Sequence, residues 1–342
     1  MVTIRDIAKR AGVSVATVSR TLREPEAVRP AKRDAVNQAI EEMKYVPNAI
    51  AQQLRRPRHE AIIVIVPEIA NPFFSEIVQS IENVAHELGY RVLIGETQGK
   101  QERLDYYAEM VTSRVADGLI LLGSLLPSVV RATVKAGKPL PIPLVLACES
   151  YAGLNCPHVG IDNVAAAKLA VQHLIAMERK RIATITGPMV NSLCADRLRG
   201  YHSAMVEAGL TPEAGWIVDG DFSIESGHTA MLRLLELESR PDAVFCANDE
   251  MAIGAQQAIH EKGLTIPDDI AIVGFDDLRF GAYASPPLTT IRQPTNELGE
   301  TAMRMIDAML HDKPLTEQSV VLAHQLIVRR SSGAQERLAS NK

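Results

Sequence analysis

The sequence predicts a small all-α head followed by a two-lobed α/β core with doubly wound parallel sheets. Two observations carry this expectation. Residues 3–22 space their apolar side chains as a helix does, around a single glycine. From Ala61 onward, short aliphatic runs rich in β-branched residues alternate with amphipathic stretches, in two successive sets. Continuous apolar strands alternating with helices indicate parallel sheets covered on both faces.

The head comes first. In TIRDIAKRAGVSVATVSRTL, Thr3 and Asp6 have the spacing of a capping box. Ile4, Ile7, Ala8 and Ala11 fall on one helical stripe. Gly12 sits where the chain must reverse, in a left-handed position that suits glycine. Val13 can plug the corner, and Ser14 can cap a second helix carrying Val15 to Arg20. That is the pattern of a helix-turn-helix, whose second helix offers its N-terminal side chains to the DNA major groove. A third helix over 30–44 starts near Pro30 and turns Val36, Ile40 and Met43 inward. A linker follows from about Tyr45 to His59. Its middle, PNAIAQQL, is compatible with a hinge helix of two turns, marginal alone in water.

In the core, AIIVIV, RVLIGE, GLILLG and PLVLAC read as the first set of strands, with helical stretches such as FSEIVQSIENVAHELG between them. A second set of strands alternating with helices follows: RIATIT, RLRGYHSAMVEAG with Arg197 at a helix start, WIVDGD, IESGHTAMLRLLEL, DAVFCA, MAIGAQQAIHEKG and IAIVGF. Ligands of such lobes bind at the carboxyl ends of the strands, which places a site in the cleft between lobes. A last helix is expected over about 295–311. The predicted division is a head over 1–46, hinge and linker over 47–59, a core over 60–330 and a polar tail over 331–342.

Composition narrows the class. The chain has 342 residues, 46% hydrophobic but only 4% aromatic, so large cores must be mostly aliphatic. No apolar run is long enough to span a membrane. The start, MVTIRDIAKR, lacks a signal peptide's apolar stretch, so a cytoplasmic protein is expected. Cys148, Cys156, Cys194 and Cys246 show no CxxC pairing and read as reduced packing thiols, with no metal site or cofactor expected. Charge is asymmetric: residues 1–58 carry +6, the whole chain −5 and the remainder −11. A basic head on an acidic body fits a DNA-binding module attached to a domain that should avoid DNA.

The head motif, together with YVPNAIAQQL, NPFFSEI, DGLILLG, VGIDN, DRLRGY, FCANDEMAIGA, GFDD and PPLTTIRQP, resembles the LacI/GalR family of bacterial transcription repressors. The likeness runs through almost the whole chain. It implies lobes like those of periplasmic sugar-binding proteins, with three chain crossovers near 160, 292 and 320. The first lobe is then about 60–160 and 292–319, and the second about 161–291 and 320–330. It also implies a homodimer on a near-palindromic double-stranded DNA operator. The C-terminal SSGAQERLASNK lacks the leucine heptad with which some members form tetramers.

By the same resemblance, Val15, Ala16 and Arg20 read bases. Arg can bond a guanine edge bidentately, and small apolar groups contact thymine methyls. Thr17 and Ser19 can bond phosphates, which position rather than specify, and Thr3 and Ser14 join them as DNA-binding residues. Leu54 would enter the minor groove and wedge the central base step, with Ala51 and Gln53 beside it. The competing role for Leu54, packing against the core domain, is opposed by the neighbouring Arg55, Arg56 and Arg58.

The candidate effector site is scattered in sequence, as a cleft requires. It comprises Asn71, Phe73, Phe74, Ser124, Arg197, Phe222, Asn248, Asp276 and Gln293. Phenylalanines offer faces to a ring, and the polar groups offer bonds to its hydroxyls. Ser124-Leu125 stands where ribose binders of this type place an Asp-Arg pair, so one end of the site is less polar. GSLLP, LCADRLRGY and IVIVPEIANPFF are similar to the cytidine-responsive members of the family. A nucleoside effector is therefore favoured, with ribose or another pentose next. The alternative function is a sugar- or nucleoside-binding protein, or a hydrolase using Asp249, Asp276 or Glu225 as paired carboxylates.

Overall fold

A computed structural model describes residues 2–45, 60–151 and 153–333, apart from the side chains of Arg23 and Ala214. The chain forms two compact units, one up to His59 and one from Glu60.

In the first unit, α1 (Ile4–Arg10) opens with the capping box. The Asp6 carboxylate accepts from the Thr3 backbone N–H at 2.9 Å, and the Thr3 hydroxyl accepts from the Asp6 N–H at 3.4 Å. Gly12 turns the chain at φ 67°. Helix α2 (Val15–Arg23) is capped by Ser14, whose Oγ accepts from the Thr17 N–H at 3.2 Å. Helix α3 (Pro30–Glu42) closes the bundle. Ile7, Ala8, Val18, Val36 and Ala39 form its core, with Ile40 and Met43 half-buried against them. The inward stripe of α3 thus centres on Val36 and Ala39, one residue earlier than Ile40.

The second unit holds two six-stranded sheets. The first contains β1 (Ala61–Val66), β2 (Arg91–Glu96), β3 (Gly118–Leu122), β4 (Leu144–Ala147), β5 (His158–Ile161) and β11 (Ser319–Leu322). Its order is β11-β5-β4-β3-β1-β2, parallel throughout. Helices α4 (Pro72–Leu88) and α11 (Thr295–Leu310) cover one face, and α5 (Gln101–Thr112) and α6 (Ser128–Lys135) the other. Strand β1 shows why its run is apolar throughout. Ile62, Val64 and Val66 point into one core layer, and Ile63 and Ile65 into the other.

The second sheet contains β6 (Ile182–Thr186), β7 (Ile217–Asp219), β8 (Ala243–Cys246), β9 (Ala271–Asp276), β10 (Thr289–Arg292) and β12 (Gln325–Ile327). Its order is β12-β10-β9-β8-β6-β7, with only β12 antiparallel. Helices α7 (Asn163–Ala176) and α8 (Ser192–Glu207) cover one face, and α9 (Ile224–Leu235) and α10 (Asp249–Glu261) the other. A Cβ on Gly227 of α9 would strike the Met251 backbone, and one on Gly254 of α10 the Ile224 carbonyl, so these helices touch through their backbones.

The chain passes between sheets after Ile161, after Arg292 and after Leu322. Residues 320–322, expected in the second lobe, instead pair with β5 in the first sheet. The expected polar tail is corrected at its start as well. Ser331 and Ser332 are fully buried. The Ser331 hydroxyl donates to the Ile272 carbonyl at 2.7 Å and accepts from the Thr289 N–H at 2.8 Å. Small hydroxyls there satisfy backbone groups that the sheet leaves over.

Candidate functional site

The head presents one open polar face. Ala16 and Arg20, one helical turn apart on α2, are exposed, and the Arg20 side chain makes no hydrogen bond or ion pair among the described residues. Val15 is partly exposed and partly packed against the head core. The Ser14 and Thr17 hydroxyls lie 2.9 Å apart. The Thr3 hydroxyl donates to Asp6 at 2.7 Å. These hydroxyls already serve caps in the DNA-free head. Ser19 is half-buried. Ala51, Gln53 and Leu54 lie outside the described residues.

In the core unit, the carboxyl ends of both sheets face one cavity of about 610 Å³. All nine expected effector residues line it. The first lobe contributes Asn71, Phe73 and Phe74 after β1, and Ser124 after β3. Asn71 caps α4, its Oδ1 accepting from the Phe73 N–H at 2.9 Å, while its amide donates across the cleft to Glu250 at 3.4 Å. Phe73 and Phe74 meet edge to face and also pack into the first lobe's core, so each has a structural duty beside the cavity.

The second lobe contributes Arg197, Phe222, Asn248 and Asp276, and Gln293 lies at the crossover. Helix α8 begins at Ser192, so Arg197 lies inside it and not at its start as expected. Asn248 caps α10, accepting from the Met251 N–H at 2.9 Å and donating to the Phe222 carbonyl at 2.9 Å. Cys148, Phe222 and Asp276 hold φ of 74°, 76° and 109°. Left-handed conformations at three non-glycine residues around one cavity are strain of the kind that clusters at functional sites.

The electrostatics centre on one buried cation. Arg197, 4% exposed, donates from Nε to Asn163 at 2.9 Å and from Nη1 to the Ala247 carbonyl. Burial alone would lower its pKa, and Asp276 is the main group that holds its charge. Burial pushes the Asp276 carboxyl up to about 7 against the pull of Arg197 and of Gln293, whose amide donates to it at 2.7 Å. Burial likewise pushes Glu149 up to about 7, with Arg197 again opposing.

Glu149, Cys148 and Asn163 also line the cavity, and the sequence reading missed them. Glu149 follows β4, so the rule that sites gather at strand carboxyl ends could have found it. Of the carboxylates named for the hydrolase alternative, Asp276 lines the cavity and Asp249 and Glu225 do not. Asp249 is fully buried, accepting from the Leu278 N–H at 2.7 Å and the Thr290 hydroxyl at 2.6 Å. Among the described residues, no group of His, Cys, Asp and Glu could hold a metal ion, and no helix is long and apolar enough to cross a membrane.

Known proteins match this arrangement at both ends. Residues 3–48 match the model of bacterial regulatory proteins, lacI family, and residues 171–332 that of the periplasmic binding protein-like domain. The chain is 39% identical to the HTH-type transcriptional repressor CytR of Escherichia coli (strain K12), covering 97% of this chain and 96% of that protein. It is 34% identical to the HTH-type transcriptional repressor PurR of Aliivibrio salmonicida (strain LFI1238), covering 97% and 99%. Among solved structures, the lac repressor dimer bound to operator and the anti-inducer ONPF superposes with a TM-score of 0.85 at 30% identity, covering 97% and 99%. A transcriptional regulator CelR–cellobiose complex superposes at 0.72 and 30% identity, covering 97% and 100%.

Proposed function

The chain belongs to the lacI family of bacterial regulatory proteins, and from that premise we propose that its cleft is the effector switch of a dimeric, operator-binding repressor. DNA-binding transcriptional repression is the family's work. The finer assignment is a small molecule, a nucleoside such as cytidine before a free pentose, that changes operator affinity from the cleft. The observation that carries it is the convergence of nine residues from seven separate stretches of sequence on one cavity of about 610 Å³, within the range typical of small-molecule sites. Asn71, Arg197, Asn248, Asp276 and Gln293 offer donors and acceptors to the hydroxyls of a furanose, and Phe74 and Phe222 offer apolar faces.

Ala16 and Arg20 are the base readers we assign on α2, with Ser14, Thr17, Thr3 and Ser19 toward phosphates. Leu54, with Ala51 and Gln53, is assigned to the minor groove on sequence grounds. A dimer is supported by the lac repressor dimer, to which the chain is similar, and by strand β2. That strand forms a sheet edge with Leu93 and Ile94 exposed, and such edges need covering. The relatives are repressors, and no turnover is assigned to the cleft.

A thermal-shift screen of cytidine, uridine, adenosine, free bases, ribose and other pentoses on the full-length protein tests the assignment. A nucleoside that raises the unfolding temperature and shifts operator affinity supports it. The operator must then change nucleoside affinity by the same factor, because coupling is reciprocal. A screen in which no nucleoside or pentose binds would overturn it.

A further inference from the structure

We propose that Glu149 reads the base edge of the bound nucleoside, and so makes the cleft select nucleosides over free ribose. The inference rests on the nucleoside assignment above and deepens it. Glu149 is 6% exposed, lines the cavity, and makes no hydrogen bond or ion pair among the described residues. Arg197, the nearby cation, commits Nε and Nη1 to Asn163 and Ala247. A buried carboxyl with no partner in the protein is a group waiting for one from a ligand, since desolvating it unbonded costs free energy.

Its surroundings say what kind of ligand. The segment after β4 is pinned on both sides. The Ser192 hydroxyl donates to the Ser150 carbonyl at 3.2 Å, and the Tyr151 hydroxyl donates to the Gly123 carbonyl at 2.7 Å. These bonds tie the segment that carries Glu149 to the turn after β3 and to the start of α8. Leu125, Leu193, Pro188 and Val190 all line the cavity. The same stretches bring Ser124 beside Leu125 and Asn191 beside Val190 into the lining, so apolar side chains alternate there with a few polar groups, as a heteroaromatic ring with a hydrogen-bonding edge requires.

The chemistry of the carboxyl fits the edge of such a ring. In its neutral form it sets one O–H donor beside one carbonyl acceptor. The Watson–Crick edges of cytosine and uracil each set one donor beside one acceptor, so two parallel hydrogen bonds form with either. Free ribose seated among the furanose-binding groups brings no base to this carboxyl. The neutral form is accessible because burial pushes Glu149 up to about 7. The ionisable groups that face it are Arg197 and Cys194 from α8, and Cys148 and Tyr151 from its own segment. Asp276 from β9 shares the Arg197 field.

The test is calorimetric titration of the full-length protein with cytidine, uridine and ribose between pH 6 and pH 9. Wild type, Glu149→Leu and Glu149→Gln are compared. Removing one partner of a buried bond costs about 10–100-fold in affinity. Glu149→Leu is therefore expected to weaken cytidine and uridine by about that factor while ribose stays within about twofold. Glu149→Gln keeps the donor–acceptor pair and should retain both nucleosides. In the wild type, the ratio of cytidine to ribose affinity should fall as pH rises through the carboxyl's ionisation. The Asp276 titration is common to both ligands and cancels in that ratio. In Glu149→Gln the ratio should be flat, which decides the matter even if Glu149→Leu folds poorly. A wild type that binds ribose but no nucleoside overturns the nucleoside assignment and this inference together. A wild type that binds cytidine, with variants that leave the cytidine-to-ribose ratio and its pH profile unchanged, overturns the role of Glu149 alone.

Discussion

The guanidinium carbon of Arg197 lies 3.6 Å from the centroid of the Phe275 ring, so the cleft's cation rests on an aromatic face of the second lobe's own core. Stacking on a desolvated ring is worth about 2 kcal/mol. It fixes the plane of the fork before any ligand arrives. Two hydrogen bonds, to Asn163 and to Ala247, fix its rotation. Nη2 makes no hydrogen bond among the described residues, on a side chain that lines the cavity.

Arg197→Ala should therefore weaken the effector by about 10–100-fold and lower the unfolding temperature of the core, because Asn163 and the Ala247 carbonyl lose a partner. Arg197→Lys should do little better, since an ammonium cannot stack flat and hold both bonds. Effector-free operator binding should stay within about twofold, because the substituted residue belongs to a separate unit. Calorimetry and operator titration check the two halves. A variant that still binds effector normally removes Arg197 from the site.

Arg20 is expected to set one base pair of each operator half-site. It is exposed, unpaired among the described residues, and one turn beyond the exposed Ala16. Arg20→Ala should lose about 1–3 kcal/mol of discrimination at that base pair and relax the preference there. Competition binding against a series of singly substituted operators measures it. Equal weakening on every sequence would reassign the side chain to phosphate.

How far the sequence led is visible in single elements. AIIVIV became β1 without adjustment, because a strand buried on both faces writes itself as an unbroken aliphatic run. Thr3, Gly12 and Ser14 marked the head's caps and turn, because each solves a local backbone problem that only a few residue types can solve. The nine residues that line the cavity were gathered by resemblance, and no local pattern would have brought them together. Glu149 was missed because a lone Glu after a strand looks like any surface carboxylate until burial is known. Ser331 and Ser332 read as polar tail in the sequence yet are buried, because polarity is a poor guide where side chains bond backbone. The strained φ of Phe222 and Asp276 has no sequence signal at all.

The edge of the first sheet gives a prediction about assembly. Leu93 and Ile94 on β2 are 36% and 46% exposed, on a strand with one open side. Replacing both by Lys should convert a dimer to a monomer in sedimentation, at little change in the fold of each chain. Operator affinity should then fall by about 10²–10⁴-fold, because two linked half-sites no longer act together. A double variant that sediments as wild type would place the interface elsewhere.

The buried Asp276 makes stability depend on pH in a direction opposite to that of most carboxylates. Burial raises it from an ordinary 3.8 to about 7, with Glu250 and Glu76 adding to the rise and Arg197 and Gln293 opposing it. Between those values the folded chain holds a proton that the unfolded chain has released. Its contribution to stability is therefore full below about 4 and is lost as pH rises through about 7. The ligand-free protein should unfold at a lower temperature at pH 8 than at pH 5. Asp276→Asn keeps an oxygen for the Gln293 amide to bond and cannot ionise. It should be more stable than wild type at pH 8, by on the order of 1–4 kcal/mol, and should hold no such advantage at pH 4. Thermal unfolding of both proteins across that range checks the sign. A wild type and variant that keep the same difference at every pH would mean that Asp276 stays ionised in the cleft, its charge held by Arg197.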